Sequence, residues 1–160
     1  MFIFGKKIAY WKEQFGGMGF GFIFSVFVFL INPELSKWKE FIKEIPNIGM
    51  CTFGFLLTFL GIILQGGSNT IEWMKSREVL FQRFISFNKR VVIISIVLSV
   101  YAYFLAYFDF TWIKECFTNW IFIYVTIRKL MISVFVLLSV WFIYDVLHFI
   151  KIFYLLIKKN

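Results

Sequence analysis

Apolar positions along this chain gather into four long runs rather than the short alternations of a soluble domain. They cover roughly Phe15–Ile31, Ile48–Leu64, Val91–Phe108 and Leu130–Ile150. Each is close to the ~20 residues a helix needs to cross a hydrocarbon core of ~30 Å. The first three hold no Asp, Glu, Lys or Arg. In lipid every backbone amide must be satisfied within its own segment, so such runs predict helices and not strands. The expected fold is an all-α membrane protein of one domain, residues 1–160, with four transmembrane helices in two hairpins.

The stretches between the runs predict shorter elements. Asn32-Pro33 and Ile45-Pro46-Asn47 carry the prolines that end helices. Between them Glu34–Glu44 is expected to be a separate amphipathic helix with Leu35, Trp38, Phe41 and Ile42 on its buried side. Gly66-Gly67-Ser68 breaks the second span, and Asn69-Thr70-Ile71-Glu72 forms a capping box that opens a new helix. From there to Arg90, Trp73, Leu80, Phe84, Phe87 and Val91 recur at helical spacing. Glu72–Arg90 therefore predicts a cationic amphipathic helix between spans two and three that runs into the third span. It either lies on the cytoplasmic surface or packs against the same helix of a neighbouring subunit with its cations toward an anionic ligand. Phe117–Ile127 is apolar but too short to span alone. It is read first as an interfacial segment. In the other reading the fourth helix begins there and carries Arg128 and Lys129 into the membrane.

Composition agrees with a membrane chain. Apolar residues make up 61%, aromatics 23% and charged residues 16%, against about 25% charged in soluble domains. Twenty-four phenylalanines are more than a water-facing surface of this size can hide. The net charge of +8 fits topology and contact with anionic headgroups rather than sequence-specific nucleic-acid binding. Lys6, Lys7 and Lys12, the basic residues between Lys75 and Arg90, and Lys151, Lys158 and Lys159 outnumber those of the other two connections. Cytoplasmic loops carry such excess, so both termini are expected in the cytoplasm of a cell whose inner membrane holds the chain. No small-residue cleavage site follows the first run, so it reads as an uncleaved span. The six tryptophans mostly flank the spans, as interfacial anchors do.

Candidate chemistry is sparse. One histidine and two distant cysteines give no metal-ligand pattern, no phosphate-binding glycine loop follows a strand, and neither enzyme activity nor a cofactor is expected. Gly17 and Gly21 make a small-xxx-small step, and Gly54 and Gly61 share a face of the second span. Small residues let membrane helices approach closely, within or between subunits. Ser25, Thr52, Thr58, Ser95, Ser99, Ser133 and Ser139 either bond between helices or line a pore. Asp145 is the one acid inside a run, with His148 three residues on and on the same face. The pair either forms an intramembrane polar path or satisfies itself near the cytoplasmic end, beside Lys151. Cys51 and Cys116 both fall on the expected outer side. Lys75, Arg77, Arg83, Lys89 and Arg90 are the candidate cations for lipid headgroups or an anionic ligand.

From Phe53 to Val100 the layout is a glycine-bearing span, a polar break, a basic aromatic helix ending Phe84-Ile85-Ser86-Phe87-Asn88-Lys89-Arg90, then a serine-dotted span. This resembles the small four-span membrane proteins of bacterial anti-phage defence systems. The resemblance implies a homo-oligomer that perturbs the membrane or forms a channel, and a cytoplasmic partner protein or an anionic signal molecule acting on Arg77, Arg83, Lys89 and Arg90. The expected function is a channel-like or membrane-perturbing effector. A non-conducting anchor for a cytoplasmic partner and a small proton-coupled transporter are the alternatives.

Overall fold

A computed structural model of the chain describes residues 2–31, 35–65, 72, 76, 78–108 and 121–158. They form four helices: α1 (Phe2–Ile31), α2 (Leu35–Gln65), α3 (Glu78–Tyr107) and α4 (Ile121–Lys158). Among the described residues no strand occurs. Three helices contain stretches long and apolar enough to cross a membrane: Trp38–Ile63 in α2, Phe84–Tyr107 in α3 and Phe122–Lys151 in α4. Phe15–Ile31 in α1 is a shorter apolar stretch. Large apolar side chains such as Phe22, Ile23, Leu30, Phe55, Val100 and Leu147 stay exposed on all four helices, as a lipid-facing exterior requires.

The helices pack in the order α1, α4, α3, α2. Tyr101 Oη donates to the Met131 carbonyl at 2.9 Å, and at the other end of the same seam the rings of Phe87 and His148 lie 5.4 Å apart. Helices α3 and α4 are therefore antiparallel. Gly17 lies by Tyr144 while Lys129 reaches over the Phe29 ring, so α1 runs antiparallel to α4 as well. The expected first hairpin does not close on itself, because α1 spends its glycine face on α4 and α2 turns its buried face to α3.

Two expected boundaries are also corrected. Pro46 lies inside α2 and does not divide it. Ile42, Ile45, Gly49, Leu56 and Ile63 are all buried at separations of three, four or seven residues, so one stripe crosses the proline without interruption. Membrane helices tolerate the lost amide donor where neighbouring helices support the backbone. Glu34–Glu44 is thus no separate helix: from Leu35 it is the start of α2. Glu78–Arg90 does run directly into the third apolar stretch: it is the first part of α3, and Phe84 onward belongs to that stretch. Ile121–Ile127 forms the first turns of α4 rather than an interfacial segment of its own. At 38 residues and about 1.5 Å per residue, α4 reaches roughly 57 Å. That exceeds any hydrocarbon core, so α4 must tilt strongly or project beyond the bilayer.

Two apolar clusters fill the seams. Ile42 and Ile45 of α2 meet Ile94, Leu98, Ala102 and Leu105 of α3, with Phe135 and Phe142 of α4. Leu56 and Ile63 meet Phe84, Val91 and Phe149. There Phe59 stands edge-on to both Phe84 and Phe149, at 6.3 and 6.0 Å between ring centres, the geometry that aromatic quadrupoles favour.

Candidate functional site: a charged pair inside the helix seam

One turn inward from the Phe84–Phe149 contact, the seam between α3 and α4 changes character. Arg90 Nε donates to Asp145 Oδ2 at 3.0 Å, and Arg90 Nη2 donates to Asp145 Oδ1 at 3.1 Å. This two-pronged arrangement matches the guanidinium fork to both carboxylate oxygens. The Asp145 side chain is 1% exposed and that of Arg90 21%. The pair sits about 9 Å along each helix from the span ends at Phe84 and Lys151. Phe87, one turn before Arg90, places its ring 4.4 Å from the guanidinium carbon, a distance at which the ring face attracts a cation.

Helix α1 covers the carboxylate. A methyl group at Gly17 would lie 2.6 Å from Trp141 Cδ1, 3.0 Å from Tyr144 Cδ1 and 3.3 Å from Asp145 Oδ1. One turn on, a methyl at Gly21 would lie 2.7 Å from the carbonyl oxygen of Leu137. Glycine at both positions lets α1 lie directly against α4 at the level of the ion pair. Gly54 and Gly61 behave differently: nothing lies within 4 Å of a methyl built on either. Within one chain they pack on nothing described. Gly49 makes the corresponding close approach of α2 to α3, where a methyl would collide with Ser99. It was not singled out in the sequence, although it is a glycine at the start of the second apolar run, three residues after Pro46.

The other candidate residues take separate places. His148 does not bond Asp145. Its ring lies parallel to that of Tyr144, 6.1 Å away, and its Nε2 is buried without a hydrogen-bond partner among the described residues. Asp145 is linked to Arg90, on another helix, rather than to His148. Arg90 in turn leaves the set of surface cations. Lys89 is exposed, Arg83 lies in α3 with its side chain outside the described set, and Lys75 and Arg77 lie outside the described residues. Cys51 is exposed on α2, while Cys116 falls outside the described residues.

Two further polar groups belong to the seam. Asn88 is 0% exposed, and neither its amide nitrogen nor its oxygen has a partner among the described residues. It shares a face with Phe84 and Val91, four residues before and three after. The hydroxyls expected to bond between helices mostly bond to their own: Thr52 to the Ile48 carbonyl at 2.9 Å, Ser95 to Val92 at 2.8 Å and Ser99 to Ser95 at 2.7 Å. No cluster of three or more His, Cys, Asp or Glu among the described residues is placed to hold a metal ion.

At the opposite end of the molecule, α1, α2 and α4 line an apolar cavity of about 160 Å³ that is partly open to the surroundings, with Phe27 and Trp38 half exposed at its mouth. Phe27, Val28, Trp38, Ile42, Ile132 and Val136 line it. Comparison with protein families, curated proteins and solved structures gives no match to this chain.

Proposed function

We propose that this chain is a four-span protein of the cell inner membrane, with both termini cytoplasmic, that self-assembles into a channel-like or membrane-perturbing effector. The observation that carries the reading is the Arg90–Asp145 pair inside helices otherwise fit for lipid. Ionised groups at membrane depth are costly, and where they occur they face a bundle interior or a water-filled path. Helix α1, packed antiparallel along α4, supplies the fourth span. The open glycine face at Gly54 and Gly61 is where a second copy docks. The resemblance in layout adds anti-phage defence as the setting, with exposed Lys89 and its neighbours Lys75, Arg77 and Arg83 receiving a cytoplasmic partner or an anionic signal.

The test is ion flux from liposomes holding the purified protein. The reading predicts dissipation of a potassium gradient that rises more steeply than linearly with the protein-to-lipid ratio. Vesicles that stay tight at every ratio would refute it.

A reading of another class is a non-conducting anchor for a cytoplasmic partner. It draws support from the apolar walls of the described cavity and from hydroxyls turned back onto their own helices, since neither supplies a wet path. A proton-coupled transporter is the weaker alternative. Both oxygens of Asp145 are engaged by the Arg90 guanidinium rather than open to a path.

A further inference from the structure

We infer that the cavity between α1, α2 and α4 is a binding site for the acyl chain of an anionic phospholipid, with Lys129 holding the headgroup. The inference rests on the membrane reading of the chain and adds a specific ligand to it. The cavity measures about 160 Å³ and its lining offers no polar surface. Water needs two to four polar partners to occupy such a space, and an apolar cavity of roughly 150 Å³ stays dry and takes a molecule the size of benzene. The occupant is therefore hydrocarbon. In a bilayer the hydrocarbon at hand is lipid tail, and this space takes several methylene groups of one chain.

The headgroup preference comes from charge. Ile132 and Val136 line the cavity from α4, and Lys129 lies one turn before Ile132 on the same helix face. Its Nζ stands 5.9 Å from the centre of the Phe29 ring on α1. Phe29 directly follows the lining residues Phe27 and Val28. The ammonium group is thus placed at the α1–α4 side of the cavity, toward the end where α1 terminates at Ile31. A long lysine stem rooted at that depth carries its charge toward the interface, where a lipid phosphate lies.

Trp38 is part of the lining and reports on occupancy. A variant keeping Trp38, with Trp11, Trp73, Trp112, Trp120 and Trp141 replaced by Phe, is reconstituted in phosphatidylcholine vesicles. These contain phosphatidylglycerol or phosphatidylcholine brominated on the acyl chains. The inference predicts stronger quenching by the brominated phosphatidylglycerol, a preference of about fivefold, which is what one lysine near a headgroup supplies. Lys129→Gln removes the preference between headgroups and keeps quenching. Val136→Phe, or Val28→Phe from the opposite wall, fills the space and brings quenching by brominated phosphatidylglycerol down to that by brominated phosphatidylcholine, since the half-exposed Trp38 meets bulk lipid in either case. Native mass spectrometry of the chain with all its tryptophans checks the same point: one phosphatidylglycerol is retained, and it is lost in the filled variants. Protein that floats with the vesicles but is quenched equally by both lipids, with or without the filling residues, overturns the site alone. Trp38 shielded from every bromolipid by a second copy of the chain does so too. Protein that fails to float overturns the membrane reading and the site with it.

Discussion

Arg90 on α3 grips both carboxylate oxygens of Asp145 on α4, at 3.0 and 3.1 Å, across a seam otherwise built from phenylalanine and branched aliphatic side chains. The two residues are 55 positions apart in sequence, so the contact fixes the register of two antiparallel spans. Removing one partner leaves the other charge buried. In soluble proteins such a loss costs about 3–5 kcal/mol, whereas hydrogen bonds between membrane helices average nearer 0.6 kcal/mol. The larger figure applies here, because Asp145 at 1% exposure has no water to fall back on.

Arg90→Ala and Asp145→Ala are each expected to lower stability in detergent by about 3 kcal/mol. The double variant should lose less than the sum, giving a coupling of at least 1 kcal/mol. Lys89→Ala, next in sequence but exposed, should shift stability by no more than about 0.5 kcal/mol. Denaturant titration of the wild type and the four variants decides the matter. Strict additivity would mean that the two groups do not hold each other.

The glycines divide into two kinds. Gly21→Ala drives a methyl toward a backbone oxygen 2.7 Å away, and backbone yields less easily than the tip of a side chain. It should destabilise the protein by about 1–3 kcal/mol, as overpacking does. Gly54→Ala and Gly61→Ala meet open space and should raise helix stability by about 0.5–1 kcal/mol. On the proposed assembly, Gly54→Leu should also reduce oligomer mass in light scattering while leaving the monomer folded. An unchanged mass would remove that face from the contact.

Asn88 buries an amide with no partner among the described residues, a burden of about 1–3 kcal/mol. Asn88→Leu, close to it in size, should therefore raise the unfolding midpoint. A polar group kept at such a cost is expected to serve activity, so the same change should lower ion flux in liposomes. Flux that stays at the wild-type level in the stabilised variant would limit Asn88 to a packing role.

How much of this was legible in the sequence depends on what each feature needs in order to be seen. Uncharged runs suffice to predict helices, and helices form there. The small-xxx-small step at Gly17 and Gly21 signals a close approach, but nothing in the order of residues says that the partner is α4 and not α2. Pro46 carries a strong local stop signal, and it is overridden by a burial stripe extending on both sides of it. Arg90 follows Lys89 and sits in a basic stretch, which makes it resemble a surface cation. Its role emerges only when the antiparallel register of α3 and α4 sets it opposite Asp145. The start of α4 stays ambiguous in sequence because Arg128 and Lys129 argue for a boundary, while the apolar residues on either side argue for continuity.

The account stands most directly on how the helices thread the bilayer. Single cysteines placed near the two ends and at Lys39, in a background carrying Cys51→Ser and Cys116→Ser, can be labelled with a membrane-impermeant maleimide in intact and permeabilised cells. The prediction is that both ends react only after the inner membrane is opened and that Lys39→Cys reacts from outside. Ends that label from opposite faces would contradict the four-span arrangement and the function built on it.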